Sequence, residues 1–265
     1  MAFTHPFFEQ PAPGWKHDLP GPNEPPSSTP YPAILSNPPN HVDNIYLELP
    51  RSTLMVRGLC IWMAISLFLI STFSVCIFIF FLIEDGTPPS FLPASAILIG
   101  FVAGLWGGVY FWRIDTEAPR DEPIRFNRIR RKVYVYRFHH DGLRPFGRRT
   151  WGVHPAVYNW DDLHAEACRL YVPGTALVEN ITISVRKPGT KEVLDRFQFS
   201  CDIQQGEMYW AIAQLFMQQG PQSLPIFPRP PRDWNNERLV FNLARYLAPK
   251  VQWPQDMELE SRTAL

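Results

Sequence analysis

Several histidines and one aspartate lie close together in the middle of the sequence, and these side chains suit metal binding or acid–base chemistry. His139, His140 and Asp141 are consecutive, and His154 and His164 follow. Adjacent residues at the end of a strand point to opposite faces, so neighbouring histidines rarely bind one ion. We therefore predict no metal site and no cofactor here.

A pair of aspartates, Asp161 and Asp162, follows Trp160 and precedes an apolar run. Aspartates in that position are typical of a helix cap or a turn. The sequence contains no GxSxG, P-loop, GxGxxG or HExxH motif. We predict no catalytic residues and expect a non-enzymatic protein. An enzyme would need a cleft in which carboxylates or histidines converge.

A dense basic cluster is the other candidate site, and its members are Arg125, Arg128, Arg130, Arg131 and Lys132. Near an anionic leaflet, each such residue contributes on the order of 1 kcal/mol of attraction. The cluster therefore predicts a contact with lipid or with a protein partner; the alternative is a solvated turn that helps to set topology. No nucleic-acid partner is expected, because 25 basic residues balance 25 acidic ones.

Two long uncharged runs must position these groups. They cover residues 58–83 and 91–112, about 26 and about 22 residues, whereas a bilayer core needs about 20. The connection at residues 84–90 is short and acidic, so the runs form an antiparallel pair. We predict a transmembrane hairpin over residues 58–112. The alternative, buried helices of a soluble protein, rarely extends past four turns without a charge.

The flanking basic residues predict the orientation of this hairpin. Arg51 and Arg57 precede the first run and Arg113 and Arg120 follow the second, whereas the connection has no Lys or Arg. Because basic residues favour the cytoplasmic side, both termini are expected in the cytoplasm.

A stripe of small residues runs along the second span. Ala96, Gly100, Gly104 and Gly108 recur every four residues, which lets another helix approach closely. The stripe either packs against the first span of the same hairpin or forms a seam for a second copy or another membrane protein.

The rest of the chain has the signals of a small antiparallel β domain followed by a helix, so the predicted fold class is α+β. A pleckstrin-homology-like barrel beside a membrane hairpin is one arrangement of this order. The predicted elements are two strands within 123–138, a strand or short helix at 161–171, a hairpin at 179–200 with a Pro188–Gly189 turn, and an amphipathic helix at 205–220.

The chain is predicted to divide into an extended Pro-rich arm (1–44), a juxtamembrane segment (45–57), the hairpin (58–112), a cytoplasmic β-rich domain (113–223), and a Pro-rich extension with a short helix and tail (224–265). The arm either packs along the domain or is a mobile tail. The four cysteines lack metal-binding spacing and predict no disulfide framework.

Several blocks of sequence resemble a bacterial family of unknown function, DUF6708. They lie at 118–138, 158–166, 216–225, 230–237 and 247–254. Members look like inner-membrane proteins of Gram-negative bacteria that are often associated with type VI secretion effector loci. The resemblance carries no active site. It implies an immunity protein whose cytoplasmic domain binds a toxin. The alternative is a membrane-tethered scaffold or an anionic-lipid-sensing module.

Overall fold

Two long apolar helices form a hairpin in the computed structural model, which describes residues 5–26, 29–51, 57–84, 86, 89–171, 177–236 and 242–264. They are α1 (Leu59–Glu84) and α2 (Phe91–Glu117). Both are long and apolar enough to cross a membrane. Only 11% of the most apolar 18-residue stretch of α1, and 17% of that of α2, is buried. They therefore do not form the core of the rest of the fold. α2 extends beyond the predicted end at Trp112.

The small-residue stripe of α2 packs on α1 of the same hairpin. A Cβ built on Gly104 would lie 2.7 Å from the Leu67 carbonyl oxygen, and one on Gly108 would lie 2.6 Å from the Phe68 ring. Gly100 similarly faces the Ser74 hydroxyl, whereas Ala96 is exposed. Because α1 covers the glycines, oligomerisation through the second span remains a prediction that would need another face of α2.

The two helix ends at the base of the hairpin cap each other. The Asp115 carboxylate on α2 accepts hydrogen bonds from the backbone N–H groups of Gly58 (3.1 Å) and Ile61 (2.8 Å) at the start of α1. In return, the Arg57 guanidinium donates to the carbonyls of Asp115 and Ala118 at the end of α2. Each side chain thus pairs with backbone groups at the end of the other helix, which have no hydrogen-bond partner within their own helix.

The strands form two antiparallel sheets and a short ribbon. The first sheet has the order β1 (Trp15–Asp18), β9 (Leu163–Tyr171), β10 (Leu177–Arg186), β11 (Val193–Ser200). The second has the order β2 (His41–Val42), β3 (Tyr46–Leu49), β4 (Ile124–Asn127), β5 (Lys132–Val135), β8 (Ala156–Asn159). The ribbon pairs β6 (Phe138–His139) with β7 (Gly152–Val153).

The predicted α+β fold class is confirmed, and so are the strand pair within 123–138 and the hairpin at 179–200. Residues 163–171 are a strand rather than a helix. The suggested barrel is not found, because the strands that the structure describes form open sheets. The arm packs on the domain: it supplies β1 and β2, which pair with β9 and β3. The segment expected beside the membrane supplies β3, which lies between β2 and β4 in the second sheet.

One helix, α3 (Ile203–Gln219), packs on both sheets and closes the core. The ring centroids of Trp160 and Trp210 are 5.0 Å apart, and those of Trp160 and Phe126 are 5.8 Å apart. Phe199 of β11 meets Trp210 edge-on at 6.3 Å. This aromatic chain joins the helix to both sheets, as its apolar face predicts.

The C-terminal part is more regular than the sequence indicates. The short helix predicted there is α4 (Leu243–Leu247), and residues 237–241 lie outside the described part. The stretch expected to be a tail contains α5 (Gln255–Arg262), which packs on β4 and β5. The Trp253 ring meets that of Tyr136 at a centroid distance of 5.1 Å.

Substituting Gly104 by alanine should destabilise the hairpin more than substituting Gly107. The new methyl group at Gly104 would press on the backbone of α1, whereas at Gly107 the nearest atom, at 2.9 Å, is the flexible end of Leu67. Overpacking of this kind costs about 1–3 kcal/mol. Thermal unfolding of the detergent-purified variants measures the difference. The gain in helix propensity is common to both variants, so equal unfolding temperatures would contradict this packing.

Candidate functional site

A groove of about 620 Å³ opens where three distant parts of the chain meet, and we refer to it as the C-terminal groove. Its walls come from residues within 40–48 and 121–125 and from 231–235, 251–253, 258 and 262. The pairing of β3 with β4 places Glu48 opposite Arg125. The Arg120 guanidinium donates to the Asn235 carbonyl at 2.6 Å and holds the extension in place. The volume of the groove is within the range of ligand-binding pockets.

Asn40 connects the walls of the C-terminal groove. Its amide Nδ2 donates to the carboxylates of Glu48 (3.2 Å) and Asp121 (3.1 Å). Its Oδ1 accepts a hydrogen bond from the indole Nε1 of Trp234 at 3.0 Å. The arm, the second sheet and the extension are therefore linked through one amide, whose donors and acceptor suit these partners only in this orientation.

Arg125, the first member of the predicted basic cluster, belongs to this groove and not to an open basic surface. It is buried, and its guanidinium forms ion pairs with Glu48 and, at 2.5 Å, with Glu258. The same guanidinium lies 4.7 Å from the Trp253 ring centroid and 5.5 Å from that of Tyr46. Contact between Arg125 and lipid would require it to exchange these partners.

Two tryptophans give the groove apolar surface. The Arg232 guanidinium lies 4.1 Å from the Trp234 ring centroid. The indole Nε1 of Trp253 is buried and has no hydrogen-bond partner among the residues of the described ranges. Buried N–H groups are rarely left unpaired, so this indole is an exception within the described ranges.

Asp121 is the titratable group with the most altered environment in the groove. It is 3% exposed. Burial raises the pKa of Asp121 to about 7, against the opposing effect of hydrogen bonds from Asn40 and the backbone of Glu122 and Arg51. The groove therefore contains a carboxyl group that changes charge near neutral pH.

The other members of the basic cluster contact protein groups or are partly buried. Lys132 pairs with Glu260 at 2.6 Å, Arg131 pairs with Asp161 at 2.5 Å, Arg130 donates to the Thr263 carbonyl at 3.1 Å, and the Nε atom of Arg128 is buried. Of the five residues in the cluster, Arg125, Arg130 and Lys132 thus fasten α5 and the C-terminal residues to β4 and β5. Their contact with lipid or partner remains a prediction.

The histidines and paired aspartates do not converge on one point. His139 faces His154 with ring centroids 5.2 Å apart, whereas His140 lies beside Tyr110. Asp161 and Asp162 lie in the single 3-10 turn Trp160–Asp162. Across the ranges that the structure describes, no group of three His, Cys, Asp or Glu side chains is placed to bind a metal ion.

Sequence reasoning missed Asn40, Asp121, Trp234 and Trp253 as members of one site, because long stretches of chain separate them. One signal was present: Trp234 stands between Asp233 and two asparagines in a Pro-rich segment. A large aromatic residue in polar, extended surroundings often serves binding.

Comparison with family models gives one match, over residues 101–265, to a model described as a family of unknown function (DUF6708). The matched part contains most of the groove and excludes the wall formed by residues 40–48. No curated protein and no solved structure matches the chain.

The stability of the protein should depend on pH through Asp121. A pKa raised from 3.8 to about 7 means that this group stabilises the fold below pH 4, and that the contribution is lost as pH rises to 7. Asp121→Asn should therefore gain stability relative to wild type by roughly 2 kcal/mol between pH 5 and 7. Thermal unfolding across this range measures it.

Asp233→Asn is the matched control in the same groove. Hydrogen bonds from the Asn236 side chain and the backbone keep the pKa of Asp233 low, so its substitution should have no pH-dependent effect above pH 5. Parallel pH profiles for wild type and Asp121→Asn would contradict the assignment.

Proposed function

We propose that this chain, which belongs to DUF6708, a family of unknown function, is a membrane-anchored binding protein. The proposed hairpin of α1 and α2 crosses the bacterial inner membrane, and the folded domain binds a protein partner in the cytoplasm through the C-terminal groove. The observation that carries the proposal is the groove itself, with its tryptophans and paired charges.

The membrane part of the proposal is supported by the surface of the helices. Large apolar side chains such as Phe73, Phe91 and Leu92 are 66%, 84% and 77% exposed, which favours lipid over water as their surroundings. Trp62 and Trp112 are exposed at the end where both helices join the domain, as in an aromatic belt. The arginines that flank both helices favour the cytoplasmic side for this end.

The binding part of the proposal is supported by the composition of the groove. Tryptophan and arginine are the residues that carry most binding energy in protein interfaces, and Trp234, Arg232 and Arg262 line this groove. The carboxylates of Glu48 and Glu258 both pair with Arg125, which supplies the groove with fixed charges for recognition. A segment of partner chain bearing charged and apolar groups would fit.

The partner is proposed to be a toxin of a type VI secretion system, as the resemblance to immunity-like membrane proteins implies. A domain on the cytoplasmic side can neutralise toxins that act in the cytosol. The second candidate function, scaffolding or sensing of anionic lipid, is favoured by a different surface, the loop between β6 and β7.

Reporter fusions should place both termini in the cytoplasm. A reporter enzyme that is active only in the periplasm should be inactive at either terminus and active when inserted at Gly86 in the connection between α1 and α2. The reason is the arginine bias at the base of the hairpin. Activity at a terminus would overturn the proposed orientation, and inactivity at all three positions would argue against a membrane crossing.

Charge reversal in the groove should weaken partner binding. Arg262 lines the groove, is 53% exposed and pairs with Glu258, so Arg262→Glu should weaken binding at least tenfold, about 1.4 kcal/mol. Arg169 is 41% exposed and pairs with Glu179 in the first sheet, so Arg169→Glu is the matched control. Co-purification with the product of the neighbouring gene, tested as the proposed toxin, and protection of cells that express that product measure the effect.

The two variants separate specific from general failure. Loss of protection with Arg262→Glu but not with Arg169→Glu is the expected result. Absence of both protection and complex formation with the unaltered chain would reject the proposed partner, and equal binding by the two variants would reject the groove.

A further inference from the structure

The loop between β6 and β7, residues 140–151, is fixed against the end of α2. The Arg113 guanidinium donates to the carbonyls of Pro145 and, at 2.6 Å, Gly147. It also lies 4.2 Å from the ring centroid of Trp151, the last residue of the loop. The loop is further closed by a 3.1 Å hydrogen bond from the Trp151 indole to the Arg144 carbonyl. These contacts hold the loop in a defined position against α2.

The contact point determines the depth of this loop in the proposed membrane. Tyr110 of α2 meets the rings of His140 and Trp151 at 6.2 Å and 6.1 Å and lies 3.7 Å from where a Gly142 side chain would begin. Tyr110 is two residues before the end of the uncharged run at Trp112, about 3 Å along the helix axis. A loop that touches this turn lies at the level of the lipid headgroups.

The exposed side chains of the loop combine apolar and basic character. Leu143 is 86% exposed and Phe146 is 60% exposed. Arg144, Arg148 and Arg149 are also exposed, and no ion pair involving them occurs within the described ranges. Apolar side chains flanked by arginines are the features of segments that lie in a membrane interface.

We propose that this loop is a second membrane contact, in which Leu143 and Phe146 enter the headgroup layer of an anionic bilayer and the arginines bind lipid phosphates. The inference rests on the proposed hairpin and deepens it by naming the lipid class. It also fixes the tilt of the domain, because the hairpin and the loop attach it at two separate points.

The turn that contains most of the basic cluster lies at the end of β4 that is farther along the chain from α2. β4 begins at Ile124 shortly after α2 ends, and the turn that contains Arg128, Ile129 and Arg130 follows its last residue. With about 3.3 Å per residue of strand, that turn is separated from the start of β4 by roughly 10 Å or more. The loop at 140–151 contacts α2 directly. The geometry therefore favours the loop.

Lipid photo-crosslinking tests this assignment in the full-length protein. A benzoylphenylalanine is placed at Phe146, at Ile99 on α2 (67% exposed) or at Ile129 in the β4–β5 turn (40% exposed). The protein is reconstituted in nanodiscs of phosphatidylglycerol and phosphatidylcholine and illuminated, and lipid adducts are quantified by mass spectrometry. Adducts are expected at positions 99 and 146, and at least tenfold fewer at 129.

Two further comparisons test the lipid class. Arg148→Gln with Arg149→Gln should reduce labelling at position 146 severalfold and leave position 99 unchanged, and discs of phosphatidylcholine alone should do the same. Labelling at 146 that ignores both changes would overturn the role of anionic lipid.

The outcomes separate this inference from the one on which it rests. If position 99 is labelled and position 146 gives no more adduct than 129, the loop contact is wrong and the hairpin stands. If 129 is labelled and 146 is not, the basic cluster is the lipid contact instead. If position 99 is not labelled, the proposed membrane hairpin itself fails, and the loop contact with it.

Discussion

The mutual capping of α1 and α2 by Asp115 and Arg57 is the constraint on which the rest of the structure depends. Helix ends carry unpaired backbone groups, and here a carboxylate meets the positive end of one helix while a guanidinium meets the negative end of the other. The Arg57 carbonyl in turn accepts a 2.9 Å hydrogen bond from Asn242, just before α4. The geometry of the hairpin base is thereby passed on to the folded domain and to the C-terminal extension.

The features that could be predicted from the sequence are those whose signals lie within a short stretch. The uncharged runs indicate α1 and α2, alternation and the Pro188–Gly189 turn indicate β10 and β11, and an apolar face indicates α3. Features that depend on distant partners were not predictable. Leu47 pairs with Phe126 across the whole hairpin, and the backbone N–H of Ala12 donates to the buried carboxylate of Glu166. Neither contact leaves a local pattern, so the sequence indicated an extended arm where β1 and β2 lie and a juxtamembrane segment where β3 lies.

The basic cluster shows the same limit for the candidate site. Read along the chain, Arg125 to Lys132 look like one exposed patch. In the fold, Arg125 turns into the groove between Glu48 and Glu258, whereas Arg130 and Lys132 fasten the C-terminal residues. Successive side chains of a strand face opposite sides, and the acidic partners come from other parts of the chain. A count of charges therefore predicts neither exposure nor the mixed character of the groove.

The pairing of β3 with β4 has a consequence for biosynthesis. One strand leaves the ribosome about 75 residues before its neighbour, with the entire hairpin between them. At about 5–20 residues per second, the first strand waits roughly 4–15 s for the second. The second sheet cannot close until both apolar helices have emerged, because β4 follows them in the chain. If the hairpin crosses a membrane as proposed, strand order gives its helices time to insert before the sheet closes.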